Sequence, residues 1–264
     1  MRAVNHPYLA TVTKALEATG ESLNPWLTGH RLRYAETLAQ LHKYTGPRNA
    51  VLELGFTRIF QFLLATGLEF KSCFGSEFKA KDTDAKSREL TVTVGERRSV
   101  SKIIPVNLED EPIPLPDESL DLVVCCEVIE HMDVDPMYLM AEINRVLRPG
   151  GQLLMTTPNS ASARIVWKIL HGHRPHFYML YSKNRDPYRH NFEYDVHALK
   201  ILTTASGLEC LSMETIDTFE DPVPDALQLL KRSGFPTTHR GDNIFYWGKK
   251  ISGVIDRWPS GIYG

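Results

Sequence analysis

Residues 121–159, DLVVCCEVIEHMDVDPMYLMAEINRVLRPGGQLLMTTPN, constrain the fold more than any other stretch of the chain. Residues 121–126 form a short apolar run rich in valine, too short for a buried helix and suited to a strand covered on both faces. Met137, Leu139, Met140, Ile143, Val146 and Leu147 then recur at helical spacing, with Pro136 where a first helical turn tolerates proline. Arg148, Pro149 and two glycines stop that helix, and residues 152–157 are again strand-like, ending in the turn signal Pro158-Asn159. Strand, helix and strand of these lengths predict a parallel βαβ unit with a right-handed crossover. Ligands of such units sit at the carboxyl ends of the strands, which makes Glu127, Glu130, His131 and Asn159 the first candidate site residues.

The balance of charge narrows the partners. Among 264 residues there are 30 Lys plus Arg and 32 Asp plus Glu, a formal charge of -2, so no strong field draws a polyanion and nucleic acid is disfavoured as a partner. No apolar run is long enough to cross a bilayer, and the first twenty residues lack the apolar core of a signal peptide; the expectation is a soluble, cytoplasmic protein. Cys125 and Cys126 are adjacent in one strand while Cys73 and Cys210 fall in others, so buried thiols are expected rather than a disulfide framework.

The remaining chain divides into a helical N-terminal cap over residues 1–45, an α/β domain over 46–249 and a C-terminal tail, 250–264, without a motif. Helices are expected over about 6–18, 27–44, 59–65, 160–170 with Ser160 as cap, 195–206 with Asp195 as cap and Gly207 as stop, and 225–232. Strands are expected over 49–55, 70–78, about 90–94, 208–216 and 243–247. Residues 171–190 mix histidines, arginines and aromatics without a period, a composition that suits a lid or substrate wall; a variable surface insertion is the plainer alternative.

CCEVIEHM followed by RVLRPGGQLLMTTPN resembles the corresponding region of class I S-adenosylmethionine-dependent methyltransferases, in the group that includes ubiquinone-pathway O-methyltransferases and small-RNA 2'-O-methyltransferases. The resemblance covers about residues 49–249. It implies a Rossmann-like α/β fold, a seven-stranded, mostly parallel sheet with an antiparallel last strand and helices on both faces, and S-adenosylmethionine as cofactor. The implied cofactor contacts are Glu53 and Gly55 in the glycine-rich first motif, Glu77 at the ribose hydroxyls, and Asn107, with Glu109 second, at the adenine. Thr57 and Ile59 depart from the first motif, standing where further glycines are usual, and their side chains must point away from the ligand or narrow its site. Helices before the first strand lie across the cofactor cleft in the family resembled; simple packing onto the sheet explains their apolar side equally well.

Methyl transfer from a sulfonium is an in-line displacement, in which positioning and deprotonation of the acceptor matter most. Glu127, Glu130 and His131 stand at i, i+3 and i+4 across a strand end and a first helical turn, where all three can face one volume. With water and acceptor oxygens they suit Mg²⁺ or Mn²⁺. Downstream, HNFEY resembles the segment of the small-RNA enzymes that supplies another metal-binding histidine, which adds His190 to Glu127, Glu130 and His131. Two roles stay open: metal ligation by these four, or metal-free catalysis with His131 or His190 as general base and Glu127 beside them. The expected activity is O-methylation of a hydroxyl on a sugar, glycan or small metabolite. Small-RNA 2'-O-methylation and N-methylation of a small amine are the enzymatic alternatives, and the degenerate glycine motif motivates another class, a non-catalytic methyltransferase-fold partner protein.

Overall fold

The computed structural model describes residues 6–80, 83–175 and 189–264. Strands β1 (Ala50–Leu54), β2 (Ser72–Phe78), β3 (Arg88–Val94), β4 (Arg97–Val106), β5 (Leu120–Cys126), β6 (Leu147–Pro158), β7 (Leu208–Ile216) and β8 (Asn243–Lys250) form one sheet in the order β3-β4-β2-β1-β5-β6-β8-β7. Strands β4, β2, β1, β5 and β6 run parallel, and β8 lies antiparallel between β6 and β7. The sheet has eight strands where the resemblance implies seven. The strand expected at about 90–94 is β3, which pairs antiparallel with β4 from Arg88↔Ile103 to Val94↔Arg97, and a turn at Gly95-Glu96, with Gly95 at φ +60°, joins the two. Its alternation buries Leu90 and Val92 and exposes Thr91 and Thr93, as a strand with one covered face requires.

Alternation also sorts the central strands between two apolar layers. Val51, Leu122, Val124 and Leu154 face the layer built with α1 (Leu9–Ala18), α3 (Arg31–Leu41) and α4 (Arg58–Thr66). Leu52, Leu54, Val123, Cys125, Leu153 and Met155 face α5 (Pro136–Val146) and α7 (Val196–Ala205). Side chains of successive strand residues point to opposite faces, so continuous apolar runs belong to strands covered on both sides. At the amino ends of the strands, the buried Asp121 carboxylate accepts N–H bonds from Asn49 (2.6 Å) and Ala50 (3.0 Å) and pairs with Arg148, tying β1 to β5.

Several local expectations are corrected. The helix over 27–44 is two, α2 (Pro25–Gly29) and α3, separated at His30. The helix expected from Ser160 is α6 (Ala163–Leu170), capped by Ser162 instead, because Asn159 Oδ1 accepts the Ala161 N–H and keeps 159–161 in a turn. Cys210 is exposed on the edge strand β7, whereas Cys73 and Cys125 are buried; all four thiols are unpaired. Most of the expected lid over 171–190 falls on residues 176–188, outside those described. Asp195 caps α7 as expected, and α8 (Pro224–Arg232) packs near α6. The motif-free tail is anchored: Arg257 and Tyr263 bond Asp135 at the start of α5, and Asn144 donates to the Ser206 and Ser252 carbonyls at 2.7 and 2.8 Å.

Candidate active site

Glu53, Glu77, Asn107 and Glu127 stand at or just beyond the carboxyl ends of the neighbouring parallel strands β1, β2, β4 and β5. Glu53 is 3% exposed. Its Oε1 accepts from the Thr57 N–H (2.9 Å) and hydroxyl (3.0 Å), and Oε2 accepts from Gln61 Nε2 at 2.7 Å. Burial raises the Glu53 carboxyl to about 8 against the opposing pull of the Gln61 and Thr57 hydrogen bonds. The residues that replace glycine thus have local roles: Thr57 caps α4 through Phe60 N–H, and Ile59 is fully buried. Gly55 keeps the left-handed backbone, φ +65°, that the turn needs.

The next two strand ends are also engaged. Glu77 pairs with Arg88 of β3 at 2.7 Å, and that guanidinium lies 5.5 Å from the Phe56 ring centroid. Strand β3 therefore places a cation beside the residue expected at the ribose. Asn107 is buried and its Oδ1 accepts the Glu109 N–H (3.2 Å), while the Glu109 carboxylate takes the Asp133 and Val134 N–H groups, bracing the loop after β5.

At the end of β5 the four proposed metal ligands separate into three and one. Ligand atoms of Glu130, His131 and His190 lie within 4.8 Å of one another. The 189–191 segment is held over them: Asn191 donates its N–H to the Glu130 carbonyl (2.8 Å) and its Nδ2 to the His131 carbonyl (2.9 Å). Glu130 is fully buried; Oε2 accepts from Thr157 Oγ1 (3.1 Å) and Oε1 has no hydrogen-bond partner. Burial first, then the neighbouring charge of Glu127, pushes its carboxyl well above the ordinary range. An orphaned buried carboxylate oxygen beside two imidazoles fits a divalent cation. Glu127 is turned elsewhere, its Oε1 accepting from Thr156 Oγ1 (2.7 Å) and Asn243 Nδ2 (3.0 Å), on a backbone at φ +55°.

Sequence reasoning missed Arg33. This α3 residue is 3% exposed, and among the charges acting on it are Glu127 and Glu130. Burial lowers its pKa, but Glu127 foremost, then Tyr34, Cys126 and Glu130, hold it above the ordinary guanidinium value. The signal was present as Arg33, Thr37 and Gln40, polar residues at helical spacing that share the buried side of α3. Thr156 and Asn243, which fix Glu127, had no such signal, because one lies near the end of β6 and the other opens β8 beside it.

Comparison with known proteins bears on the fold. Residues 61–155 match a family model described as a methyltransferase domain; the match begins inside α4, beyond the 55–57 loop, and ends in β6. The chain has the class I methyltransferase fold, as structural neighbours show: a Haloferax volcanii methyltransferase in complex with the Trm112 methyltransferase activator (TM-score 0.52, 15% identity, 95% of this chain and 98% of that one) and a Thermotoga maritima SAM-dependent methyltransferase (0.53, 18%, 90% and 99%). Residues 61–155 thus resemble an S-adenosylmethionine-dependent methyltransferase domain. An Alcanivorax borkumensis malonyl-[acyl-carrier protein] O-methyltransferase is 40% identical over 75 residues, 27% of this chain and 25% of that protein. A Mycobacterium tuberculosis protein named as an S-adenosylmethionine-dependent methyltransferase is 30% identical over 166 residues, 60% and 54% of the two chains. The chain spans about half or less of the length of the curated relatives it matches. No helix among the described residues is long and apolar enough to cross a membrane.

Proposed function

We propose that the protein transfers the methyl group of S-adenosylmethionine to an acceptor hydroxyl on a sugar, glycan or small metabolite. The observation that carries this reading is the Glu130, His131 and His190 cluster beside the strand ends expected to hold the cofactor. Gly55, Glu77 and Asn107 supply the cofactor side, with Glu77 exchanging its Arg88 partner for the ribose hydroxyls. Oxygen as the acceptor atom is supported by the O-methyltransferase relative, over the quarter of the chain that it matches.

The chain's own groups suffice to outline a mechanism. His131 Nδ1 lies 3.2 Å from the Arg189 carbonyl, which only accepts, so Nδ1 carries the proton and the basic lone pair is on Nε2. That nitrogen takes the acceptor proton as the oxygen attacks the methyl carbon, and the neighbouring His190 ring, 4.9 Å away between centroids and edge-on, keeps the imidazole in place. Mg²⁺ or Mn²⁺ held by Glu130, His131 and His190 would lower the pKa of an acceptor hydroxyl bound to it.

Calorimetric titration with S-adenosylhomocysteine, with and without Mg²⁺ or Mn²⁺, tests the reading. Saturable binding weakened about tenfold or more by Glu77→Ala is expected. Mn²⁺ binding should disappear in Glu130→Gln and His190→Ala. Absence of nucleoside binding under every metal condition would overturn the enzymatic reading in favour of a non-catalytic partner role, which the Arg88 and Glu77 pair would then explain.

A further inference from the structure

Residues 189–195 cross the Glu130, His131 and His190 cluster with neither helix nor strand of their own, and hydrogen bonds fix their path instead. The Asn191 and Phe192 N–H groups both donate to the Glu130 carbonyl, at 2.8 and 3.3 Å, which turns the chain about that oxygen. The buried Tyr194 stands edge-on to Phe192, 4.8 Å between centroids, and its carbonyl accepts the Ser160 N–H at 2.8 Å. Asp195 then caps α7. Glu193 is held between these anchors.

The turn brings the Glu193 carboxylate back against the His190 ring. Its Oε1 lies 3.4 Å from His190 Nδ1, and the Glu193 and His190 side chains are 4% and 10% exposed. An ionised carboxylate only accepts, so the proton of this contact sits on Nδ1. His131 meets a different acceptor in the same way, the Arg189 carbonyl 3.2 Å from its Nδ1. Both imidazoles thus have Nδ1 engaged by an oxygen, and the other nitrogen of each ring is Nε2. A histidine with neither nitrogen held exchanges tautomers and turns about its side-chain bonds, so its lone pair has no fixed place.

We propose that Glu193 is the positioning residue of the cluster: by accepting the Nδ1 proton of His190 it fixes that ring as the Nδ1–H tautomer and directs the Nε2 lone pair toward Glu130 and His131. This rests on the role proposed for the cluster and holds for either of its chemistries, because a general base and a cation ligand both need the lone pair at one place. Glu193 belongs to the HNFEY segment that supplies His190.

Long-range proton–nitrogen correlation of the imidazole rings reads the tautomer directly and needs neither cofactor nor metal. His190 is expected as Nδ1–H in the unaltered protein and as a mixture or the Nε2–H form in Glu193→Ala, while His131, held by the Arg189 carbonyl, keeps its tautomer. Mn²⁺ binding, followed by calorimetry, should weaken about tenfold to a hundredfold in the same variant, with S-adenosylhomocysteine binding in the absence of metal kept within about twofold. Glu193→Gln retains an acceptor oxygen at that place; it should lose less than the alanine variant and stands in for it should that variant fail to fold. His190 found as Nε2–H in the unaltered protein, or a tautomer and a Mn²⁺ affinity indifferent to both substitutions, would overturn the proposal. Parallel losses of Mn²⁺ and S-adenosylhomocysteine binding with the tautomer kept would overturn it too, reducing Glu193 to a structural role. If the unaltered protein took up no Mn²⁺, the metal would drop out of the proposed function, and the tautomer of His190 in Glu193→Ala would decide the role of Glu193 by itself.

Discussion

Glu53 shows how one buried carboxyl can set the pH response of the molecule. Its folded value of about 8 lies above the ordinary 4.5, so its contribution to stability is full below about pH 4.5 and is lost as pH rises through 8. Between pH 6 and 8 the loss is about 1.4 kcal/mol per pH unit, an order-of-magnitude figure. Glu53→Gln should flatten this dependence, because Gln61 Oε1, buried without a partner, can turn to accept from the new amide. Thermal melts at pH 6 and pH 8.5 check it: the wild type should lose several degrees more than the variant. Glu127 is the second case. A non-glycine residue at φ +55° costs about 1 kcal/mol or more, and here the carboxylate is turned to Thr156 and Asn243. Glu127→Gly removes that backbone cost but leaves Thr156 Oγ1, Asn243 Nδ2 and the buried Arg33 charge without their anion, so a net loss of about 1–3 kcal/mol is expected in denaturant unfolding. An unchanged urea midpoint would show that these partners re-pair at no cost.

Strands β1 and β5 are joined through Asp121, whose buried carboxylate takes two N–H bonds and pairs with Arg148, a side chain about a third exposed. Asp121→Ala leaves those donors and the Arg148 charge without their partner and should cost about 2–4 kcal/mol, read as a lower urea midpoint. The junction of α7 and β7 is equally specific. Gly207 has φ +82°, and a Cβ there would meet the Ser252 and Gly253 carbonyl oxygens of the tail. Gly207→Ala should exceed the ordinary 1 kcal/mol backbone penalty, because the tail cannot move aside without giving up Asn144 and Gly207 hydrogen bonds. A melting temperature unchanged by this substitution would mean that the tail yields freely.

Across the whole molecule the tail closes the α5 and α7 layer, bonding Asp135 at one end of α5 and Asn144 near the other. Removing residues 251–264 should cost about 2–4 kcal/mol and roughly 5–15 °C in melting temperature, with the parallel sheet retained by circular dichroism. The βαβ unit was legible from the residues alone, because apolar periods of strand and helix report burial directly, and so was the gathering of Glu130 and His131 at a strand end. Spacing along one chain segment also suggested that Glu127 would join them, yet the backbone reverses hand at Glu127, and Asn243, 116 residues away, draws its carboxylate aside. Pairing across the sheet decided that, as it decided that β3 would set Arg88 against Glu77. Local sequence thus determined which elements form and which ends of them carry chemistry, since propensity and periodicity act over a few residues. Tertiary structure alone decided which charges act on one another, since Arg33 and Glu127 are 94 positions apart in sequence and only the packing of α3 sets the buried guanidinium in reach of that carboxylate's charge.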